Sequence, residues 1–270
     1  LSWKRAGIVD EVIAFGHNPA TLQKALDKGA ADTVTTSMEE AVKDADIVVS
    51  AVPVEAMESV FTEMAPFLKS DAVVTDVGST RQTVIAAARK GLGDKFHQYA
   101  PAHPIAGGEM PGVDYASADL FDEKVVISTP DEGMDPKVVT FIEEAWRKAG
   151  ARVQAMSPLQ HDLTFASVSH LPHVLAYALV DMIAREENAQ EKLKMAGAGF
   201  RDFTRIASSS PVMWRDICLS NREALSHELK RYRASLDTLQ KYIDESDGKA
   251  LESVFENAVR NRRGLVFPGK

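Results

Sequence analysis

Asp46-Ile47-Val48-Val49-Ser50-Ala51-Val52, followed by Pro53, is the stretch that decides the fold of this 270-residue chain. A short apolar run that ends at a turn residue is typical of a parallel strand buried on both faces. The pattern returns at Ala72-Val73-Val74-Thr75-Asp76-Val77, where Gly78-Ser79 turns into a predicted helix that continues to residue 90. Both runs therefore predict strands of a parallel sheet.

Further predicted strands alternate with helices along the first part of the chain, at residues 9–15, 96–100, 124–128 and 151–156. Such alternation indicates an α/β fold with a doubly wound, Rossmann-like parallel sheet. After Met156 the strand pattern stops, and Ser157-Pro158 is a helix start, with a capping residue followed by proline. We therefore predict a Rossmann-like domain at residues 1–157 and an all-helical domain at 158–270.

The first seven residues, which end at Gly7, are typical of the last turns of a helix. A Rossmann-like domain ordinarily opens with a strand and a Gly-rich turn that binds the cofactor pyrophosphate. We expect both to lie upstream of Leu1, so that residues 1–270 alone are unstable or unable to bind NAD or NADP. Gly197-Ala198-Gly199 is no substitute for the turn, because it follows no strand.

The composition is that of a globular protein, with 45% hydrophobic residues and a net charge of −8. An acidic balance argues against a nucleic acid or an anionic membrane as the main partner. One cysteine, Cys218, excludes an intrachain disulfide framework and fits a reducing compartment. With no apolar run near the length of a membrane span, we expect a cytoplasmic protein.

A heptad seam marks the predicted helix at residues 221–246, where apolar residues alternate at spacings of four and three. The seam consists of Leu225, Leu229, Tyr232, Leu236, Leu239 and Ile243. Such a seam needs a partner helix, either from the same chain or from a second subunit.

Tyr99-Ala100-Pro101-Ala102-His103-Pro104-Ile105-Ala106-Gly107-Gly108-Glu109 is the strongest candidate for a catalytic segment. We expect His103 to lie on a loop at a strand end, where ligands bind in open α/β sheets. Histidine is suited to proton transfer near neutral pH. The alternative is a loop histidine that caps backbone groups.

Two turns at predicted strand ends could contact a nucleotide. Gly16-His17-Asn18 stands where an acidic residue would bind the ribose of NAD. His17 or Asn18 could bond a ribose hydroxyl, and the missing charge would tolerate a phosphate, although an ordinary turn explains the residues equally well. Ser79 and Gln82 form a predicted capping box, which is compatible with a serine hydroxyl that points into the cleft.

The predicted helical half contains His161-Asp162 and two further histidines, His170 and His173. Their spacing is not that of a closed zinc site, and we expect no metal. Arg201-Asp202-Phe203-Thr204-Arg205 and Met213-Trp214-Arg215-Asp216 bring cations, carboxylates and aromatic residues together. Such clusters are most often solvated ion pairs, but Arg with Trp can also recognise a small carboxylate.

Five runs in order, VTDVGST, HPIAGGE, VSHLPH, FRDFTRIA and PVMWRDI, resemble the prephenate dehydrogenase family, including its arogenate and cyclohexadienyl variants. The resemblance implies oxidative decarboxylation of prephenate or arogenate, with hydride transfer to NAD or NADP. The product would be 4-hydroxyphenylpyruvate or tyrosine. It also implies a homodimer formed through the helical domain.

The resemblance also implies site residues. His103 would face the ring hydroxyl of the substrate, and Ser79 would bond His103 and lie near the nicotinamide. The other implied substrate residues are His173, Arg205, Trp214 and, at the mouth of the site, Glu109. We assign the cofactor side of the cleft to residues of the strand-end turns: His17, Asn18, Val52, Pro53 and Ser79.

Two other functions stay open on the sequence. One is a hydroxy-acid dehydrogenase of similar architecture, which would need a catalytic lysine in the helical domain. Lys192 and Lys194 are available, but they lie in a charged run. The other is a non-catalytic dimeric binding module, since the phosphate-binding turn is not in this sequence.

Overall fold

The computed structural model describes residues 1–107 and 112–265. Its strands are β1 (Ile13–Phe15), β2 (Thr33–Thr35), β3 (Ile47–Ser50), β4 (Val73–Asp76), β5 (Tyr99–Ala100), β6 (Ala102–Pro104), β7 (Val125–Ser128) and β8 (Arg152–Ala155). Its helices are α1 (Ser2–Arg5), α2 (Pro19–Asp27), α3 (Met38–Val42), α4 (Met57–Met64), α5 (Gln82–Leu92), α6 (Pro136–Lys148), α7 (Pro158–Phe165), α8 (Leu171–Ala184), α9 (Ala189–Lys194), α10 (Ala198–Thr204), α11 (Pro211–Ser220), α12 (Arg222–Asp244) and α13 (Gly248–Arg263).

The described strands form three sheets, in the orders β1-β2, β3-β4-β5 and β6-β7-β8. All pairs are parallel except β6–β7, so the predicted α/β fold is confirmed with one antiparallel pair. Only Pro101 separates β5 from β6, and proline has no N–H to donate to a ladder. At that point the extended chain changes its neighbour from β4 to β7.

The core lies where β3, β4 and β5 pack against helices α4, α5 and α6. Its least exposed members include Met57, Phe61, Val74 and Tyr99, each with 0% exposure. Phe61 and Tyr99 meet edge to face, with ring centroids 5.6 Å apart. The strand end that carries the candidate site is therefore anchored on a well-packed scaffold.

Two strand predictions need correction. β3 spans only four residues of the predicted run, and Val49 is 43% exposed, so the strand is not buried on both faces. Among the described residues β3 pairs only with β4, which leaves one of its edges without a strand neighbour. The predicted strand at 96–100 is mostly a 3₁₀ turn, Gly93–Gln98, and only Tyr99–Ala100 is extended.

The helix end predicted at the start of the chain agrees with the structure. α1 ends before Gly7, whose φ of +62° is the left-handed conformation that glycine adopts after a helix.

In the heptad seam of α12, Leu225 is buried, but Leu236 and Ile243 are 46% and 58% exposed. α13 packs against α12.

One described helical segment, residues 158–184, is long and apolar enough to cross a membrane by length and composition alone. The expectation that no apolar stretch reaches this length is therefore wrong. The segment consists of α7, a π-helical turn (Ala166–His170) and α8, and the polar residues in its first half divide the apolar run. Only 22% of its apolar window is buried, and it exposes Leu159, Leu163, Val168 and Met182.

Candidate active site

A buried ion pair supports the strand that carries His103. Arg81 and Asp76 are both 0% exposed, and Arg81 Nη2 donates to Asp76 Oδ1 over 2.6 Å. The same guanidinium donates to the carbonyl of Ala102, next to His103, over 3.0 Å. The Tyr99 hydroxyl also donates to Asp76. Burial opposes the charge of Arg81, but Asp76 outweighs it and keeps the pKa of Arg81 above its usual value.

His103 lies within a strand and not on a loop. It is the middle residue of β6 and faces Ile127 of β7 in the register. The sequence predicts a loop there because the chain changes to Pro, Gly and small residues after the apolar run that ends at Ala100. Pro101 instead precedes a short extended segment that ends at Pro104, and the Ile105 N–H after it still bonds Val125 O over 2.7 Å. The fold therefore holds His103 on a strand, a more rigid support than a loop.

His103 is hydrogen-bonded to a histidine from the helical half of the chain. His103 Nδ1 lies 2.7 Å from His161 Nε2, and His161 Nδ1 lies 2.9 Å from Asp162 Oδ1. The ring of Phe165 packs on both imidazoles, 5.0 Å from that of His103 and 4.4 Å from that of His161. The residue that sequence reasoning treated as isolated is thus part of a buried polar cluster.

Burial and neighbouring titratable groups keep His103 uncharged. Loss of water contact, together with His161, Arg81 and His170, holds the pKa of His103 well below 6.5. His103 is therefore neutral at physiological pH, as a proton acceptor must be. His103 Nε2 has no hydrogen-bond partner among the described residues.

Asp162 takes the capping role that the sequence assigned to Ser79. Its carboxylate accepts from the backbone N–H of Arg81 over 2.7 Å and of Gln82 over 2.9 Å, where α5 begins. The predicted Ser79–Gln82 capping box is therefore wrong, because a carboxylate is a stronger acceptor than a hydroxyl and serves two N–H groups. The expected hydrogen bond from Ser79 to His103 is also not among those of the described residues. Ser79 lies in the turn between β4 and α5.

The π-helical turn between α7 and α8 places His170 beside this cluster. Asn221 Nδ2 donates to Asp162 O over 2.8 Å and lies 3.2 Å from His170 Nδ1. Because the amide nitrogen only donates, His170 Nδ1 accepts and its proton is on Nε2. Burial lowers the pKa of His170 to about 4, so the ring is neutral and offers one N–H.

His173, Trp214 and Arg205 come together one turn further along α8. The rings of His173 and Trp214 stack with centroids 3.6 Å apart, and Trp214 is 7% exposed. Burial lowers the pKa of His173, and the nearby charge of Arg205 lowers it further. His173 Nδ1 donates to Ser169 O over 2.9 Å. Three residues that are distant in sequence thus lie near one another, with the stacked rings of His173 and Trp214 close to the charge of Arg205.

Comparison with known proteins identifies the family. Residues 1–155 match the family described as prephenate dehydrogenase, nucleotide-binding domain, and residues 157–257 match prephenate dehydrogenase, dimerization domain. The chain belongs to the prephenate dehydrogenase family. The predicted resemblance is therefore confirmed over nearly the whole chain.

Relatives in this family are similar over most of their length. Cyclohexadienyl dehydrogenase of Zymomonas mobilis is 38% identical over 87% of this chain and 80% of its own. Prephenate dehydrogenase of Bacillus subtilis is 35% identical over 91% of this chain and 67% of its own. A crystal structure of prephenate dehydrogenase from A. aeolicus, in complex with hydroxyphenyl propionate and NAD⁺, is 34% identical, with a TM-score of 0.88 over 97% of this chain and 92% of its own.

The residues predicted for the cofactor side of this family member follow parallel strands. His17 and Asn18 follow β1, Val52 and Pro53 follow β3, and Ser79 follows β4. Asn18 Oδ1 caps α2 by accepting from Ala20 N over 2.9 Å, which leaves its amide N–H groups as donors. His17 is exposed and meets Phe15 edge to face, with centroids 5.3 Å apart.

Other predictions have different outcomes. Glu109 lies outside the described residues. Lys192, considered for a hydroxy-acid dehydrogenase, is exposed on α9 and pairs with Glu186. His161 and Asp162 bond into the cluster around His103, but the sequence analysis assigned them no role in the site. An adjacent His-Asp pair shortly after the predicted domain boundary was the available signal.

Proposed function

We propose that this chain catalyses the oxidative decarboxylation of prephenate or arogenate in tyrosine biosynthesis, with NAD or NADP as hydride acceptor. Family membership and relatives named prephenate and cyclohexadienyl dehydrogenase support the reaction class. The observation that carries the mechanism is His103, a buried neutral imidazole whose Nδ1 is bonded to His161 while Nε2 has no partner among the described residues.

His103 is the general base of this proposal. Its Nε2 takes the proton from the ring hydroxyl of the substrate, so that the O–H bond breaks as carbonyl character forms at that carbon. A positioned base of this kind contributes roughly 10²–10⁴-fold to the rate. Loss of carbon dioxide leaves an aromatic ring, which drives the reaction forward. NAD or NADP, when bound, would accept the hydride that leaves the ring carbon bearing the hydroxyl as the C–H bond of that carbon breaks.

His173, Arg205 and Trp214 would hold the substrate. Arg205 supplies a cation for a substrate carboxylate, and stacking on Trp214 fixes the plane of His173. His173 donates to Ser169 O through Nδ1, so its neutral form offers Nε2 as an acceptor to a substrate donor. Glu109 remains a predicted residue of the site mouth.

The chain's residues fit a nicotinamide cofactor at the carboxyl ends of β1, β3 and β4. Asn18 retains free N–H donors after capping α2, and the hydroxyl of Ser79 has no hydrogen-bond partner among the described residues. These groups suit ribose hydroxyls and an amide. His17, Val52 and Pro53 would line the same edge. A neutral turn after β1, where NAD enzymes carry a carboxylate, is compatible with either NAD or NADP.

The helical domain, proposed here as residues 158–270, would form a homodimer. Its family description as a dimerization domain supports this, as do the exposed apolar residues of the helix at 158–184 and of α13. Burial of these faces against a second subunit explains the apolar helix without a membrane. We place the enzyme in the cytoplasm, with no nucleic-acid partner, in keeping with its biosynthetic relatives and acidic composition.

The test compares His103→Asn with wild type in steady-state assays, using prephenate and arogenate with NAD and NADP. The asparagine amide replaces Nδ1 as donor to His161 but removes the acceptor at Nε2. We expect kcat to fall by about 10²–10⁴-fold, with cofactor affinity unchanged in a fluorescence titration.

His97→Asn is the matched control, because the His97 side chain is exposed and, among the described residues, bonds Asp94 O. Turnover in His103→Asn near that of wild type would contradict the assignment of the base. Absence of turnover by wild type with all four combinations, in protein that binds NAD or NADP in the fluorescence titration, would contradict the function itself.

A further inference from the structure

Asp162, His161 and His103 form one continuous hydrogen-bonded chain across the two halves of the molecule. The links are 2.9 Å from Asp162 Oδ1 to His161 Nδ1 and 2.7 Å from His161 Nε2 to His103 Nδ1. The three residues are 1%, 0% and 9% exposed. Water cannot easily replace these partners. Which atom donates and which accepts in each hydrogen bond is therefore decided by the three residues and their protein neighbours.

The backbone N–H groups at the start of α5 decide which atoms of this series donate and which accept. The N–H groups of Arg81 and Gln82 can only donate, and both donate to the Asp162 carboxylate. Burial opposes ionisation of Asp162, but the hydrogen bonds from His161 and from these two N–H groups outweigh it and hold its pKa below the usual value. Asp162 is therefore an ionised acceptor, and the proton on His161 must lie on Nδ1.

The direction then passes from one imidazole to the next. Burial lowers the pKa of His161, so its ring is neutral and Nε2 carries a lone pair. That lone pair can only accept, so His103 Nδ1 carries the proton that joins the rings. Because His103 is neutral as well, its second nitrogen, Nε2, is left as an acceptor.

We propose that Asp162 and His161 are positioning residues that hold His103 in the tautomer with its proton on Nδ1 and its lone pair on Nε2. The proposal rests on the proposed function in one respect, since it assigns Nε2 as the atom that takes the substrate proton. The opposite tautomer would present an N–H to the substrate hydroxyl and could not act as a base.

The arrangement also accommodates the charge that forms during the reaction. When the substrate O–H bond breaks, a new N–H bond forms at His103 Nε2, and the positive charge on that ring strengthens its donation to His161. The negative charge of Asp162 lies at the far end of the same hydrogen-bonded chain. No second proton has to enter the buried cluster.

A structural consequence follows from the origin of the three residues. His103 belongs to β6, whereas His161 and Asp162 belong to α7, and the Asp162 carboxylate also begins α5. The contact that joins α7 to α5 is thus the contact that sets the proton position on His103. Correct docking of the helical domain is therefore a requirement for the base, and not only for substrate binding.

The test uses two substitutions of His161 that differ in one property. His161→Gln keeps an oxygen that can accept from His103 Nδ1, whereas His161→Leu removes the acceptor while keeping apolar volume. We expect the kcat of His161→Gln to stay within about 10-fold of wild type. The kcat of His161→Leu should fall by about 100-fold or more. KM should change little in either, because the proposal gives His161 no substrate contact.

Nitrogen-15 NMR of histidine-labelled protein, without cofactor or substrate, reads the tautomer directly. We expect His103 to be protonated on Nδ1 in wild type, in His161→Gln and in the control His97→Gln, and to lose that preference in His161→Leu. The signal missing from His103→Asn identifies the residue among the seven histidines.

An Nε2–H tautomer of His103 in wild type would overturn the proposal, whether or not the His161 variants fold. Unchanged kcat in a folded His161→Leu variant would overturn it as well. If wild type turned over neither substrate, the proposed function would fail, while the NMR measurement would still decide how the protons are arranged.

Discussion

Removal of the guanidinium of Arg81 is the perturbation that tests the scaffold of the site most directly. Arg81→Met keeps much of the side-chain volume but leaves the Asp76 carboxylate buried without its cation. It also removes the donors to the carbonyls of Thr80, over 2.9 Å, and Ala102, over 3.0 Å. One substitution thus leaves three buried acceptors with fewer partners.

The size of the effect follows from burial. Both members of the pair are 0% exposed, and breaking such a pair by removing one partner costs roughly 3–5 kcal/mol. Asp76 retains Gly78 N–H, at 2.7 Å, and the Tyr99 hydroxyl, which limits the loss. We expect a decrease in the free energy of unfolding of about 4 kcal/mol, or a lower Tm by roughly 8–16 °C.

Denaturant and thermal unfolding, followed by circular dichroism, measure this decrease. Arg147→Met is the matched control, because Arg147 is 48% exposed and its pair with Glu143 lies on the surface of α6. Such a pair contributes about 0–1 kcal/mol. Adding Asp76→Asn to Arg81→Met removes the orphaned charge and should restore part of the lost stability. A loss below about 1 kcal/mol in Arg81→Met would refute this account of the buried pair.

Two further predictions concern packing and pH. A Cβ at Gly91 would lie 2.6 Å from Phe61 Cβ and 2.9 Å from Thr62 N, so Gly91→Ala should lower the free energy of unfolding by about 1–3 kcal/mol. Gly199→Ala on α10 meets nothing and should be neutral or slightly stabilising in the same denaturant titration; equal effects would contradict the argument. His170 has a pKa of about 4 when folded and 6.5 ordinarily, so its contribution is complete above pH 6.5 and is lost as pH falls towards 4. That shift corresponds to about 3 kcal/mol, and a His170→Asn variant should show a flatter dependence of unfolding free energy on pH than wild type; an identical dependence would contradict it.

Local signals in the sequence predicted the parts of the fold that local chemistry decides. Ser157 and Pro158 mark the start of α7, and the structure shows Ser157 Oγ accepting from Gln160 N over 3.1 Å. Gly7 marked the end of α1 in the same way. A cap or a terminating glycine acts within four residues of itself, so the sequence contains all the information that the prediction needs.

The same reasoning failed at Ser79, where the cap comes from a distant residue. Asp162 reaches the N-terminus of α5 across 80 residues of sequence, and no local pattern shows that a carboxylate will arrive there. The exposure of Val49 is a similar case, because burial depends on which elements cover a strand and not on its own residues.

The sequence by itself determined the chemistry that is available: a histidine beside two prolines, an adjacent His-Asp pair, an arginine and a tryptophan in the helical half. Only the tertiary structure decided how these groups act on one another. It placed His103 on a strand, joined it to His161 and made its pKa fall through burial. Residue type sets which protons a side chain can carry, but the position of each proton depends on neighbours that the fold brings within about 3 Å.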